Sequence, residues 1–196
     1  LDKTNAWVPA KDPVHFDKPK VAGVGLCSAF ARCVAAKEPE ATIGLVPCAF
    51  GGTTLDQWKP GGALYTNAVA RTRAALKNGT LKGILWHQGE GDCDAAKIAT
   101  YPARFAALIA QLRSDLGANG VPVLVGELGA SYKASYAPFN AMLPQVTNAV
   151  PRCALVSSAG LGSKPDKVHF SADALRDFGK RYFEVYEMAR KDNAQR

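Results

Sequence analysis

The sequence predicts an α/β fold, a three-layer α/β/α sandwich built around a mainly parallel sheet. Short, nearly continuous apolar runs alternate along the chain with longer segments whose apolar residues recur at helical spacing. Continuous apolar runs are typical of strands that are buried on both faces, as parallel strands are. The chain has 196 residues, and domains commonly span about 100–200 residues. We therefore predict one domain over residues 1–196.

The predicted strands and helices alternate along the chain. Strands are predicted at 43–46, 83–86, 121–125 and 154–156. Helices are predicted at about 25–37, 63–78, 101–116 and 136–149, and from 171 onward. Gly117 follows the apolar stripe of the third helix and predicts its end, because glycine readily forms a left-handed C-cap. Ser171 is placed to cap the last helix, and Asp173 to complement its dipole.

Composition and charge exclude several classes of partner. The 24 lysines and arginines exceed the 17 aspartates and glutamates, which gives a net charge of +7. The basic residues are interleaved with acidic ones, so we predict no nucleic-acid partner. The chain has no run of about 18 apolar residues, the length that spans a membrane, so we predict no membrane partner. Five cysteines without a Cys-x-x-Cys pair predict no metal site and leave one disulfide open.

Three polar turns lie where predicted strands end or the last helix begins, and ligands bind α/β sheets at that edge. The first turn, at 47–54, contains Gly51 and Gly52. Glycines let the backbone turn tightly and present an N–H group to a ligand. The alternative is an ordinary tight turn, for which glycine is the usual residue.

The second and third turns carry ionisable groups. Gln88 follows a predicted strand and can donate an amide N–H to a developing oxyanion, while Glu90 can orient an imidazole. The alternative is a loop whose polar groups face water. Asp166 and His169 are three residues apart, so the carboxylate can hold Nδ1–H while Nε2 faces a nucleophile. The alternative is a surface pair that arises by chance.

A glycine-rich segment at 23–28 is similar to half of a dinucleotide-binding fingerprint. Ser28 stands where the third glycine is expected, and no clear strand precedes the segment. We therefore interpret it as the start of a helix. A nucleotide-binding module remains an alternative function.

The three turns, in this order, resemble the sialate O-acetylesterase branch of the SGNH hydrolases, which includes the acetylxylan esterases of carbohydrate esterase family six. The string Trp-His-Gln-Gly-Glu at 86–90 is its most specific part. The opening at 7–10 and the segment at 24–31 are also similar, so the resemblance covers nearly the whole chain. The resemblance implies a flavodoxin-like fold and hydrolysis of acetyl esters on sugars, without a metal or organic cofactor.

The resemblance also implies roles for individual residues. His169 corresponds to the general base, and Asp166 to its acidic partner, with Glu90 as a second candidate for that partner. Gln88 and the backbone N–H of Gly51 or Gly52 correspond to the oxyanion hole.

The nucleophile of the family is a serine in a Gly-Gln-Ser-Asn motif after the first strand, and this sequence does not contain that motif. Ser28 falls in a predicted helix and is not a candidate. The chain opens Leu1-Asp2-Lys3, without an initiator Met or a signal pattern. We therefore expect the first strand of the domain and the serine loop that follows it upstream of residue 1, either in an unrecorded part of the protein or in a separate N-terminal peptide of the same precursor.

The expected function is that of a serine esterase that removes O-acetyl groups from carbohydrates of the acetylxylan or sialic-acid type. Its expected partner is the acetylated carbohydrate. The resemblance favours a secreted or periplasmic location. The alternative is a carbohydrate-binding pseudoenzyme, or an inactive fragment, that lacks the serine.

Overall fold

A computed structural model describes residues 1–129 and 133–194 and contains five helices and three strands in this part of the chain. In chain order they are α1 Leu26–Lys37, α2 Ala63–Leu76, β1 Ile84–Trp86, α3 Ala95–Leu116, β2 Val123–Gly126, α4 Tyr136–Ala149, β3 Cys153–Val156 and α5 Ala172–Ala194. Two short 3₁₀ helices, Leu55–Trp58 and Glu90–Asp92, lie before α2 and after β1. The alternation of strands and helices confirms the predicted α/β class.

The described strands form one parallel sheet in the order β1-β2-β3. Leu85 of β1 lies opposite Leu124 of β2, and Val125 of β2 lies opposite Leu155 of β3. All four residues of β2 are buried, whereas the three residues of β1 are only half-buried. The central strand is therefore covered on both faces, as the continuous apolar run predicted.

Helices cover both faces of the sheet and complete the three layers. Successive residues of β2 point to opposite faces, so Val123 and Val125 pack with α3 and α4, while Leu124 packs with α1 and α5. Tyr101, Phe105 and Phe139 lie in the first of these two cores, and Phe178 and Tyr182 in the second.

Helices α1 and α5 lie side by side and run in the same direction. Leu26, at the start of α1, lies against Gly179, and Glu38, at its end, pairs with Arg190. A Cβ atom at Gly179 would lie 2.3 Å from the carbonyl oxygen of Leu26, so glycine permits this close approach. Both helices therefore begin at the same end of the sheet.

Local signals at the helix ends were predicted correctly. Gly117 adopts the left-handed conformation, with φ 61°, at the end of α3. The Ser171 hydroxyl accepts the N–H of Ala174 in the first turn of α5, and Asp173 lies in that turn. Gly25 is the residue that precedes α1, so the glycine-rich segment is the start of a helix, as interpreted.

The predicted strand at 43–46 is wrong, because the structure assigns no strand to these residues. A strand requires a hydrogen-bonded neighbour, and β1 pairs only with β2 among the described residues. Other groups contact the segment instead. The carbonyl oxygen of Leu45 accepts a hydrogen bond from the Leu1 backbone nitrogen at 2.7 Å, and the Trp7 ring packs on Gly44. Apolar character alone does not make a strand.

The structure also bears on the cysteines and on membrane crossing. All five cysteines, at positions 27, 33, 48, 93 and 153, are free thiols. Within the described part of the chain, no helix combines the length and the apolar character needed to cross a bilayer.

Candidate active site

The three polar turns lie at the carboxyl end of the sheet. Tyr182 of α5 donates its hydroxyl to the carbonyl oxygen of Trp86, at the end of β1, whereas Tyr186 lies beside Gly83, before β1 begins. Helix α5 therefore runs antiparallel to the strands, and its N-terminus lies beyond their carboxyl ends. The turn that precedes α5 is thus brought to the edge where β1 ends, the edge at which α/β sheets bind ligands.

His169 and Asp166 form a hydrogen-bonded pair in this last turn. The distance from Nδ1 of His169 to Oδ2 of Asp166 is 2.9 Å. The other carboxylate oxygen, Oδ1, accepts the backbone N–H groups of Val168 and His169 at 2.9 and 3.0 Å. The His169 side chain is 68% exposed and that of Asp166 is 45% exposed. The turn therefore fixes one edge of the imidazole and leaves the ring accessible from solvent.

Hydrogen bonding holds the Asp166 carboxylate in its ionised form. The backbone N–H groups of His169 and Val168, and then the His169 side chain, lower the pKa of Asp166 well below its usual range. An ionised carboxylate on Nδ1 selects the imidazole tautomer whose Nε2 can accept a proton. This pair has the arrangement that a general base requires.

The second turn brings Gln88 into a buried network, which we call the Gln88 network. It consists of Trp86, Tyr101, Gln88, Asp92 and Thr53. The Gln88 amide nitrogen donates to the Thr53 carbonyl at 3.0 Å and to Oδ2 of Asp92 at 2.7 Å. Both amide hydrogens are therefore bound inside the protein, and an oxyanion could receive one only if that bond opened.

Glu90 was the second candidate for the acidic partner of His169, and the structure places its carboxylate elsewhere. It is exposed, and its carboxylate accepts the N–H of Gly89 at 3.1 Å. The acidic partner of His169 in this structure is Asp166. Gly89 itself lies against Phe139 of α4, where a Cβ atom would lie 2.3 Å from a ring carbon. The turn after β1 therefore requires glycine at this position.

The first turn is connected to the second and is covered by the N-terminal arm, residues 9–20. The backbone N–H of Gly51 donates to Oδ2 of Asp17 at 2.9 Å. Lys18 lies beside the turn, since a Cβ atom on Gly51 or Gly52 would be 3.5 Å from its Nζ. Gly52 has φ 76°, a conformation that favours glycine. The Gly51 N–H is thus already occupied by a carboxylate, the kind of group that an oxyanion donor attracts.

Contacts join all three turns into one region. The first and second turns are joined where Gln88 meets Thr53 and where the N–H of Leu55 donates to Asp92 at 2.8 Å. The third turn joins the second because the Phe170 ring packs against His87, with ring centroids 5.7 Å apart. The predicted site residues therefore share one end of the sheet.

No serine hydroxyl in residues 1–129 and 133–194 forms a hydrogen bond to the His169 imidazole. Ser28 lies inside α1 and donates to Asp12 at 2.6 Å, which agrees with its exclusion as a nucleophile. Ser157 donates to Glu127 at 3.0 Å, and a carboxylate is a weaker base toward a hydroxyl than an imidazole. In the same ranges, no group of three or more histidine, cysteine or acidic side chains is arranged to hold a metal ion.

Sequence reasoning missed Asp92, Tyr101 and Thr53. Asp92 follows the specific string at 86–90 by two residues, so its position was a usable signal. Tyr101 lies in the apolar stripe of α3, and that spacing indicates only a core position, although its hydroxyl is a member of the network. Thr53 is separated from Gln88 by 35 residues, and nothing in the sequence predicts that contact.

Comparison with known proteins identifies the family of the chain. The family described as "Carbohydrate esterase, sialic acid-specific acetylesterase" matches residues 1–188. A probable carbohydrate esterase of Arabidopsis thaliana, At4g34215, is 34% identical over 190 residues, which cover 92% of this chain and 70% of that protein.

Solved structures show the same fold. The X-ray structure of the Arabidopsis thaliana protein has a TM-score of 0.85 at 31% identity and covers 93% of this chain and 77% of its own. A carbohydrate acetylesterase of Xanthomonas citri, XAC1771, has a TM-score of 0.66 at 23% identity, covering 87% of this chain and 42% of its own. NanS has a TM-score of 0.72 at 21% identity, covering 87% and 72%.

Proposed function

The chain belongs to the carbohydrate esterases of the sialic acid-specific acetylesterase family, and we propose on that premise that it takes part in removing O-acetyl groups from carbohydrates by serine-dependent acyl transfer. The observation that carries the proposal is the pair of His169 and Asp166, 2.9 Å apart and accessible at the carboxyl end of the sheet. The substrate class we propose is an acetylated sugar of the xylan or sialic-acid type.

His169 acts as the general base in this proposal. Nε2 takes the proton from the attacking serine hydroxyl, and the positive charge that forms on the imidazole is stabilised by the Asp166 carboxylate at Nδ1. The same proton is then given to the departing sugar oxygen. A water molecule repeats the sequence on the acetyl-enzyme and releases acetate. Asp166, rather than Glu90, is the acid in this arrangement, since Glu90 is occupied with Gly89.

The oxyanion is held by Gln88 and by Gly51 in this proposal. A charge-assisted hydrogen bond is roughly twice as strong as one between neutral groups. The Gln88 amide therefore keeps its bond to Asp92 and gives up the one to the Thr53 carbonyl when an oxyanion arrives. The Gly51 N–H becomes available when the Asp17 carboxylate moves away. Both donors then meet charge that develops only in the transition state.

We assign the nucleophilic serine to a segment that precedes Leu1 in a longer chain and forms a strand along the free edge of β1. The residues of β1 and of the apolar run at 43–46 are both incompletely buried. A parallel strand beside β1 would cover its apolar surface and end at the same edge as β1. A serine directly after that strand would lie near the turn of Gln88, where the resemblance requires it.

A second candidate function is carbohydrate binding without turnover. Two observations favour it: no described serine hydroxyl contacts the His169 imidazole, and Asp17 occupies the Gly51 N–H. A protein with this arrangement can retain the sugar-binding surface and yet lack the nucleophile.

Acetate release tests the proposal. Acetylated xylan and O-acetylated sialic acid are offered to this 196-residue chain and to a longer chain that carries the upstream segment. We expect acetate from the longer chain alone, and loss of activity after treatment with a serine-directed phosphonate. The matched control is Ser28→Ala in the longer chain, which we expect to leave activity unchanged because Ser28 lies in α1. Sugar binding without acetate release from the longer chain would support the second candidate instead.

A further inference from the structure

The Gln88 amide is held in one orientation by hydrogen bonds that run in a single direction. The Trp86 indole can only donate, and it donates to the Tyr101 hydroxyl oxygen at 3.2 Å. The Tyr101 hydroxyl in turn donates to Oε1 of Gln88 at 2.9 Å. Burial raises the pKa of Tyr101, so this hydroxyl keeps its proton. The amide nitrogen of Gln88 must then face Oδ2 of the Asp92 carboxylate and the backbone carbonyl oxygen of Thr53, two atoms that can only accept.

Asp92 is a carboxylate in an unusual position. Its side chain is fully buried, and its Oδ2 accepts two N–H groups, from Leu55 at 2.8 Å and from Gln88 at 2.7 Å. Its Oδ1 is buried without a hydrogen bond and lies 3.6 Å from the guanidinium of Arg104. Burying a charge is unfavourable unless it is paired and hydrogen-bonded. The N–H groups of Leu55 and Gln88 and the Arg104 guanidinium therefore compensate the buried charge of Asp92. A contact that only joined segments of the chain would not require that charge.

We propose that Asp92 is a positioning residue that sets the donor geometry of Gln88, an inference that rests on the oxyanion role proposed for Gln88. The charge-assisted bond to Asp92 holds one amide hydrogen of Gln88 permanently. The other amide hydrogen of Gln88, which is bonded to the Thr53 carbonyl, is the one presented to the oxyanion. Through the N–H of Leu55, the same carboxylate is tied to the turn that carries Gly51. One buried charge thus fixes the positions of the two candidate oxyanion donors, Gln88 and Gly51, relative to each other.

The competing explanation is that Asp92 only joins α3 to the 3₁₀ helix Leu55–Trp58. Arg104 provides the matched control, because it also pairs with Asp56, at 2.6 Å, and Asp56 is 66% exposed. Asp56→Asn removes a carboxylate from the same guanidinium and from the same 3₁₀ helix without touching Gln88. A purely structural role predicts similar behaviour for Asp56→Asn and Asp92→Asn once their stabilities are matched.

The first measurement needs no activity. The side-chain amide of Gln88 and the indole N–H of Trp86 are followed by ¹H–¹⁵N NMR in the 196-residue chain. We expect Asp92→Asn to move the Gln88 amide resonances upfield and to speed their hydrogen exchange, because the charge-assisted bond is replaced by a neutral one. Asp56→Asn should leave both unchanged. Gln88 resonances that do not respond to Asp92→Asn would overturn the proposal.

The second measurement uses the longer, active chain. We expect Asp92→Asn to lower kcat on the order of 10- to 100-fold, with little change in KM, because an oxyanion donor acts in the transition state. Asp56→Asn should keep the kcat of the wild type. A rise in KM at constant kcat would overturn the positioning role. If the Gln88 amide responds to Asp92→Asn but the wild-type longer chain shows no esterase activity, the proposed function is overturned and the positioning contact remains established.

Tyr101→Phe keeps the proposal testable if Asp92→Asn does not fold. This change removes the hydroxyl on Oε1 but leaves the bond between Asp92 and the amide nitrogen. We expect the Trp86 indole resonance to shift, while the Gln88 amide stays protected from exchange and kcat falls less than about 3-fold. Loss of that protection in Tyr101→Phe would show that Asp92 does not hold the amide.

Discussion

Two aspartates serve the candidate site, and the protein holds them in opposite ways. Asp92 is fully buried and joins segments that are far apart in the sequence. Asp166 is 45% exposed and is fixed by the backbone of its own turn and by His169. The comparison indicates that the oxyanion side of the site depends on the packed core, whereas the general-base side is a local structure. Substitutions on the oxyanion side should therefore change both stability and catalysis, whereas substitutions on the general-base side should change mainly catalysis.

The largest expected effect is on the exposed side. His169→Ala in the longer chain should lower kcat by about 10³-fold or more, since loss of the base leaves only binding and oxyanion stabilisation. The thermal unfolding midpoint should stay at the wild-type value, because the side chain is 68% exposed. Steady-state acetate release and calorimetry measure the two effects. His15→Gln, in the N-terminal arm, is the control, and near-normal turnover in His169→Ala would remove the imidazole from the mechanism.

The next effect should combine both properties. Gln88→Ala removes one of the two N–H donors to the buried Asp92 carboxylate and the side-chain acceptor of the Tyr101 hydroxyl proton, and an unsatisfied buried polar group costs about 1–3 kcal/mol. The loss of one oxyanion donor should also lower kcat by about 10²- to 10³-fold. Denaturant unfolding and kinetics on the same preparation measure both. An unfolding free energy equal to that of the wild type would contradict the buried network.

The smallest of the effects at these three residues is at Asp166. Asp166→Asn should lower kcat by about 10- to 100-fold, because solvent screens an exposed pair and reduces its contribution. Asp173→Asn, an exposed aspartate two residues into α5, is the matched control and should keep the wild-type kcat. Equal losses in the two variants would mean that a general change of charge, rather than the orientation of His169, is responsible.

The pH dependence of stability provides a separate check on Asp166. Folding lowers its pKa below the unfolded value of 3.8, so the ionised carboxylate stabilises the fold above that value. This contribution is lost as the pH falls through the lower folded pKa. The difference in unfolding midpoint between the wild type and Asp166→Asn should therefore be present at about pH 5 and disappear in stronger acid. A difference that persists unchanged in strong acid would contradict this assignment.

The same contrast explains which parts of the molecule were predictable from the sequence. The pair of Asp166 and His169 lies within one turn, and the cap of Ser171 lies within one helix end, so short-range spacing predicts both. The helix at 136–149 also has the predicted bounds. The bond from Gln88 to Thr53 spans 35 residues and depends on how two turns meet. Tyr101 was assigned to the core because its apolar stripe conceals the role of its hydroxyl.

The segment at 43–46 failed for a related reason. Its apolar run has the composition of a buried strand, but a strand exists only beside another strand. The carbonyl oxygen of Leu45 instead accepts a hydrogen bond from the backbone nitrogen of Leu1, 44 residues earlier in the sequence. Composition predicts that a segment tends to form a strand, but the strand forms only where a neighbouring strand is available.

The free edge of β1 also has a consequence for handling the protein in solution. Among the described residues β1 pairs with a strand on one side only, and a half-buried apolar strand at the edge of a sheet is a template on which a strand of another molecule can add. Molecules of this chain should therefore associate more as their concentration rises and should form β-rich aggregates, despite the net charge of +7. A short synthetic strand that occupies the edge should suppress this association and keep the preparation monodisperse.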